Sequence, residues 1–363
     1  MITTDWQIVR AALWGEPIPD LSYGEKEWKT FIQICAQQGL GPLVFPSLME
    51  RCGEGLRSAM KQICVQTLQQ QVALQYTLSV AWRALDSAGI HAVLMKGAGL
   101  AAYYPKPYMR PWGDVDIYVG DEQYHASCAA MRETFPDALK FDEELDHYKH
   151  YNLIADGISL EIHRASMGLM HPIDALRYAR MEREGMARSE EVQVTDDGLQ
   201  VRVPEPTFNA LMVMLHAWEH LITAGANIRQ LCDLALFLHA RAEDIDRRSL
   251  KRNLRLLHLT DVWRVYMSAM VIYLGLPEKD APFYKSGYED CAQRLIQEIL
   301  SPSGKGKKIV EKNRFVRKLR TMCKRLRNAR ALRAYSKPYA HHVMAGVLLN
   351  GLLRLFAKDR KWE

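Results

Sequence analysis

The sequence predicts an α+β fold, in which a small mixed β-sheet core is flanked by N- and C-terminal helical lobes. Three observations carry that reading. Residues 1–90 place apolar side chains at helical spacing with almost no strand-type alternation. Residues 91–203 switch to short β-type runs, and after Pro204-Glu205-Pro206 the helical spacing returns. The chain thereby divides into an N-terminal helical region (1–90), an α+β core (91–203), a C-terminal helical lobe (204–300) and a basic helical tail (301–363).

In the first region, Glu25 to Met49 and Leu56 to Ala88 are the expected helices, the second with a polar face of Gln66, Gln69, Gln70, Gln71 and Gln75. The core's expected strands are Ala92–Met95, Asp114–Val119, Lys149–Ile154, Ile158–His163 and Val192–Val203, with a helix from Glu122 to Arg132 between them. Asp156-Gly157 is a hairpin signal that pairs the Lys149–Ile154 strand with Ile158–His163. Beyond Pro206, helices are expected over Phe208–Ile222, Ile228–Ala240 and Leu250–Leu274.

The chemistry concentrates in the core. On the strand Asp114-Val115-Asp116-Ile117-Tyr118-Val119, residues two apart share a face, so Asp114 and Asp116 stand side by side while Val115 and Ile117 pack inward. Two adjacent carboxylates on a half-buried strand repel each other unless a cation lies between them, and a divalent metal with oxygen ligands is the obvious candidate. Glu161 sits in the apolar run Ile158-Ser159-Leu160-Glu161-Ile162-His163 and joins the pair if the two strands are neighbours. Three carboxylates can hold two Mg²⁺ ions, the arrangement used for in-line phosphoryl or nucleotidyl displacement; Mn²⁺ is the substitute ion. Upstream, Ala92 to Ala102 reads as a strand, a glycine turn and a helix start. The amides of Gly97 and Ala98 and the charge of Lys96 offer a cradle to phosphate.

Phosphate cradle, Asp-x-Asp and a third carboxylate, in that order, resemble the nucleotidyltransferase superfamily with the DNA polymerase β-like catalytic core. More narrowly, Leu94-Met95-Lys96-Gly97-Ala98-Gly99-Leu100-Ala101, Tyr104-Pro105, Arg110, Asp114-Val115-Asp116-Ile117 and Leu160-Glu161-Ile162-His163 resemble a family of largely uncharacterised bacterial nucleotidyltransferases. The resemblance covers residues 91–163 well and 207–238 loosely. It implies transfer of an NMP group from an NTP to a hydroxyl or phosphate acceptor, with release of pyrophosphate. Asp114, Asp116 and Glu161 would be the metal ligands and catalytic carboxylates, with Lys96, Gly97 and Ala98 at the nucleotide phosphates. Ala98 departs from the superfamily pattern, which carries a phosphate-contacting serine after the glycine. That departure carries an alternative reading, a nucleotide-binding protein without catalysis. His163, two residues beyond Glu161, faces the same way and either orients a phosphate or acceptor or is an ordinary hydrogen-bonded strand histidine. Arg110 either contacts a triphosphate or pairs with one of the two aspartates. Asp233 either pairs with Arg229 one turn earlier or faces the cleft.

A different chemistry is carried by His216-Ala217-Trp218-Glu219-His220, which fits an H-x-x-E-H zinc-hydrolase pattern and puts two histidines on one helix face. The run Leu211-Met212-Val213-Met214-Leu215 before it reads as core, and no third ligand announces itself.

Hydrophobic residues at 48% and charged residues at 25% are an ordinary globular balance. The expected location is cytoplasmic: Met1 to Trp6 lacks the basic-then-apolar start of a signal peptide, and seven cysteines without C-x-x-C spacing read as reduced thiols. No run reaches the roughly 18 uncharged apolar residues of a transmembrane segment; Val343 to Ala357 is broken by Asn350 and Arg354. The net charge of +6 is unevenly spread, because residues 304–330 hold twelve Lys or Arg and one acid, Glu311. That block is either a solvated helix face or a surface for a polyanion or an anionic membrane.

Overall fold

Apolar and polar residues alternate along two strands, and burying the apolar set of both against helices fixes the architecture. Val115, Ile117, Leu160 and Ile162 are fully buried, and each such aliphatic side chain contributes about 1.5–3 kcal/mol. The computed structural model describes residues 1, 3–141, 145, 147–195, 198–301 and 314–356.

The chain begins with α1 (Thr3–Trp14), α2 (Glu25–Gln37), α3 (Gly41–Val44) and the long α4 (Glu54–Ser87). The core follows as β1 (Val93–Met95), α5 (Gly97–Ala101), β2 (Asp114–Tyr118), α6 (Gly120–Thr134), β3 (Leu139–Lys140), β4 (His150–Ala155) and β5 (Ile158–His163). Then come α7 (Pro172–Ala187), β6 (Glu190–Gln193), β7 (Gln200–Val203), α8 (Pro206–Thr223), α9 (Ile228–Ala240), α10 (Arg247–Leu256) and α11 (Thr260–Ala269). The last helices are α12 (Glu289–Leu300), α13 (Arg314–Ala331) and α14 (Lys337–Phe356).

Among the described residues the strands form a five-stranded sheet of order β1-β2-β5-β4-β3 and a separate β6-β7 hairpin. β2 and β5 are parallel, with Asp116 opposite Glu161 and Asp114 opposite Ser159; the other neighbours in the large sheet are antiparallel. The fold is therefore α+β with a mixed sheet, as the sequence predicts. One sheet face packs on α4 and α6, through Leu74, Leu78 and Trp82 of the first and Tyr124, Cys128 and Met131 of the second. The opposite face carries Asp114, Asp116, Glu161 and His163. A second apolar core joins the N-terminal helices to the helices after residue 206, with Trp6, Phe31 and Phe45 packing in one cluster with Trp218, Phe237 and Trp263.

The Asp156-Gly157 turn forms as expected: both residues have positive φ, 50° and 80°, and Ala155 pairs with Ile158 across it. Three expected elements are corrected. The Glu25–Met49 helix stops at Gln37, because Gly39 turns left-handed at φ 69° and Pro42 follows. The Leu250–Leu274 helix breaks at His258, φ 59°, into α10 and α11, and α11 runs on into a π-helical turn at Met270–Leu274. The Val192–Val203 strand is the β6-β7 hairpin, with residues 196–197 outside the described residues.

The N-terminal part of the basic block, residues 304–313, also lies outside the described residues. The remainder of the block lies on α13, which packs on α14. Tyr335, Tyr339 and Ala340 enter the large core, and Trp218 Nε1 donates to the Tyr339 hydroxyl at 3.2 Å. Among the described residues no helix is long and apolar enough to cross a membrane.

Candidate active site

β2 and β5 bring the predicted carboxylates together because their parallel register leaves no alternative. Asp116 and Glu161 are directly opposed, and the pleat points both away from α4 and α6. Asp116 is 2% exposed, a buried charge that needs partners. It has two. Lys96 Nζ lies 3.0 Å from Asp116 Oδ2, and His163 Nε2 donates to Asp116 Oδ1 at 2.9 Å. The same His163 nitrogen stands 3.1 Å from Glu161 Oε2, while Nδ1 faces the Ala165 carbonyl at 3.3 Å. Both ring nitrogens thus face acceptors, the environment of an imidazolium. Burial works against charge on His163, yet its bonds to Asp116 and Glu161 outweigh it and raise its proton affinity. Burial likewise opposes ionisation of Asp116, and Lys96 and His163 together hold its carboxyl well below the usual carboxylate range.

Asp114 has no such partner. Among the described residues it makes no hydrogen bond or ion pair, and repulsion from Asp116, reinforced by burial, pushes its carboxyl up to about 6. A half-buried carboxylate beside another, lacking a cation of its own, is an oxygen donor set with an unmet demand for positive charge. The residues therefore fit a hard divalent ion such as Mg²⁺ or Mn²⁺.

The lysine is held at a backbone cost. Lys96 adopts φ 56°, ψ −136°, a region natural to glycine, at the junction of β1 and α5. Gly97 follows at φ 41°, and a Cβ there would meet the Trp112 ring at 3.2 Å. The Lys96 ammonium, expected at a phosphate, lies on Asp116 at the edge of the adjoining pocket. Gly97 lines the adjoining pocket, as does Lys96, while Ala98 is buried.

That pocket, about 140 Å³, lies between the carboxylate face and α8–α9. Its wall includes Asp114, Asp116, His216, His220, Arg229 and Gln230. Burial, with Arg110 nearby, pushes the Arg229 guanidinium down; it donates to the Pro111 carbonyl and has no carboxylate partner among the described residues. Burial and Lys96 also depress both pocket histidines, leaving neutral rings. The expected zinc pair His216 and His220 thus belongs to this wall, their rings 4.4 Å apart, and among the described residues no third ligand joins them. Glu161 does not line the pocket. It is grouped with His150 and His163, whose ligand atoms all lie within 4.8 Å of one another.

Two pairings are corrected. Arg110 does not pair with the dyad; it makes a bidentate pair with Asp233, Nε to Oδ1 at 2.7 Å and Nη2 to Oδ2 at 2.9 Å, and both residues line the pocket. Asp233 accordingly takes Arg110 and the Tyr104 hydroxyl (2.8 Å) rather than Arg229. Arg110's carbonyl accepts from Gln71 at 2.6 Å. The loop before β2 is in this way tied to α4 and α9 at once, which sets the width of the cleft. Sequence reasoning missed this pair and the roles of Arg229, Gln230 and His150. The one available signal was the appearance of polar residues inside otherwise apolar α8 and α9.

A family described as uncharacterised nucleotidyltransferase matches residues 24–274. No curated protein matches. Among solved structures, an antigenic nucleotidyltransferase-like protein from Paracoccidioides brasiliensis is similar at 15% identity and a TM-score of 0.33, covering 57% of this chain and 92% of that one.

The site makes two expected outcomes measurable. In metal-free buffer, native Asp114 keeps its proton up to about pH 6 while an unfolded aspartate releases it near 4, so the folded state binds more protons in that interval and loses stability as pH rises through it. Asp114→Asn should remove this slope and stabilise the metal-free protein at pH 7 by about 1–3 kcal/mol, read from urea denaturation at pH 4.5 and 7. Asp233→Ala should destabilise by about 3–5 kcal/mol in the same assay, because it strands the buried Arg110 charge. The double variant Arg110→Met/Asp233→Leu should recover most of that loss.

Proposed function

The chain belongs to this nucleotidyltransferase family, and on that premise we propose that it transfers an NMP group from an NTP to a hydroxyl or phosphate acceptor, with release of pyrophosphate. The observation that carries the reading is the single polar sheet face with Asp114 and Asp116 on β2 and Glu161 in register on β5, opening on a pocket with a basic wall. Held by Asp114 and Asp116, with Glu161 completing the carboxylate set, Mg²⁺ would neutralise charge on the phosphates and favour ionisation of the attacking oxygen.

The chain's own residues supply position and charge. Arg229 and Lys96 give the pocket the cations that a triphosphate requires, and the first amides of α5 at Gly97 add donors. The acceptor oxygen forms its bond to the α-phosphorus as the bridging α–β oxygen leaves with pyrophosphate. Glu161 is the base for the acceptor's proton. His163 is a positioning residue: its shared Nε2 bond keeps Glu161 and Asp116 at a fixed separation and holds both ionised. Leu100 and Val213 contribute the apolar part of the wall.

A second reading, nucleotide binding without transfer, rests on Ala98 in the serine position and on Lys96 seated against Asp116. Incubation with each of four α-labelled NTPs, Mg²⁺ or Mn²⁺ and a cell lysate separates the two. Transfer gives a labelled product and released pyrophosphate, and binding alone gives neither. If the enzyme reading holds, Asp116→Asn should lower labelling by at least about 100-fold. Glu161→Gln should do the same with nucleotide affinity changed by less than about 10-fold, since it removes the base and spares the pocket. Labelling unchanged in both variants would refute the assignment.

A further inference from the structure

Outside the carboxylate face, the junction of α7 and α14 gathers a second set of ligating side chains. His171, just before α7, Asp174 in its first turn and His342 on α14 each place one ligand atom within 4.8 Å of the others. His342 Nε2 donates to Asp174 Oδ2 at 2.6 Å. The His171 ring stacks on His342 with centroids 4.0 Å apart and planes at 24°. On the same His342 ring lies His258, also at 4.0 Å, from the left-handed turn between α10 and α11. Asp174 is 5% exposed, and the Nδ1 of His171 is buried without a hydrogen-bond partner. The close approach is built in: Gly346, one turn beyond His342, sits so near His171 that a Cβ there would lie 2.8 Å from the His171 Cα.

Apolar packing gives no reason for two imidazoles at one buried carboxylate, which Arg177 Nη1 also meets at 3.4 Å, with a third ring stacked on His342 and one buried ring nitrogen left without a partner. Imidazole nitrogens with one carboxylate oxygen are a ligand set for a borderline transition-metal ion. Hard ions such as Mg²⁺ and Ca²⁺ take oxygen instead. We propose that His171, Asp174 and His342 form a structural zinc site, with the exposed His258 imidazole turning in as the fourth ligand. Tetrahedral zinc with bonds of about 2.0–2.2 Å sets its ligand atoms about 3.3–3.6 Å apart, so the wider separations would close by about 1.5 Å or less while the His342–Asp174 pair, now at 2.6 Å, would open to admit the ion. The ion would bolt α14 to α7 across 171 residues of chain. Because α13 packs on α14, it would also fix where the basic helix rides on the protein.

The test uses the full-length protein, stripped with chelator and titrated with Co²⁺ as an optical probe and with Zn²⁺ as competitor. The expected result is one equivalent bound, a tetrahedral Co²⁺ absorption band that zinc displaces, and a zinc-dependent rise in melting temperature. His171→Gln and His342→Gln should each weaken binding by at least about 10-fold. His258→Ala, at an exposed position, should weaken it less and change the band shape. Asp116→Asn should leave it unchanged, which separates this ion from one at the carboxylate face. Absence of stoichiometric uptake by the wild type, or an unchanged band in the His171→Gln/His342→Gln double variant, would overturn the proposal. Should those variants fail to fold, anomalous scattering at the zinc edge from wild-type crystals decides: density at His171 and His342 supports the site, and density only elsewhere refutes it.

Discussion

One ladder governs this protein: the parallel pairing of β2 with β5. Its register sets Asp116 against Glu161 and, on the reverse of the sheet, Val115 against Leu160 and Ile117 against Ile162. A one-residue slip would expose the apolar set and drive the carboxylates into α4 and α6, so burial and chemistry are specified by the same pairing. The rest of the fold serves the two faces it creates. α4 and α6 seal one, and α8 and α9 stand over the other, kept at their distance by the Arg110–Asp233 pair and its tie to Gln71.

The polar face is close to electrically balanced. Three carboxylates are met by one ammonium and one imidazolium, and the deficit falls on Asp114, the acid that opens on the pocket. A structure that merely tolerated buried acids would neutralise all three or replace them. Here the unpaired negative charge stands where a substrate would enter, opposite the guanidinium of Arg229, itself without a carboxylate partner among the described residues. The proposed transfer reaction uses that separation: cations on one wall for the phosphates, oxygen donors on the other for a divalent ion.

Legibility in the sequence tracked how local each feature is. The Asp-x-Asp strand, the Glu161 strand, the Asp156-Gly157 turn and the helices Pro206–Thr223 and Ile228–Ala240 follow from period-2 or period-3.6 patterns within a few residues, and the structure has them at or near their expected bounds. The broken helices at Gly39 and His258 were less legible, because apolar spacing continues across both breaks and only the backbone sign changes. Least legible were partners distant in sequence. Arg110 and Asp233 lie 123 residues apart, and each had a plausible nearer partner in Asp114 and Arg229. The destination of Lys96 was hidden for a related reason: its place at the end of β1 is a local property, but which carboxylate it meets depends on the β1–β2 register, Met95 against Asp116. His171 and His342 carried no visible signal at all, being meaningless until α14 is docked.

The lysine at Asp116 has a bearing on supply. Since the most deeply buried acid is already neutralised from within, this face needs no ion in order to fold, and under the proposed reaction a metal there would be a traveller that arrives with the nucleotide and departs with pyrophosphate. Turnover by such a protein would follow the ratio of magnesium to triphosphate in its surroundings, while its abundance and lifetime would be indifferent to it.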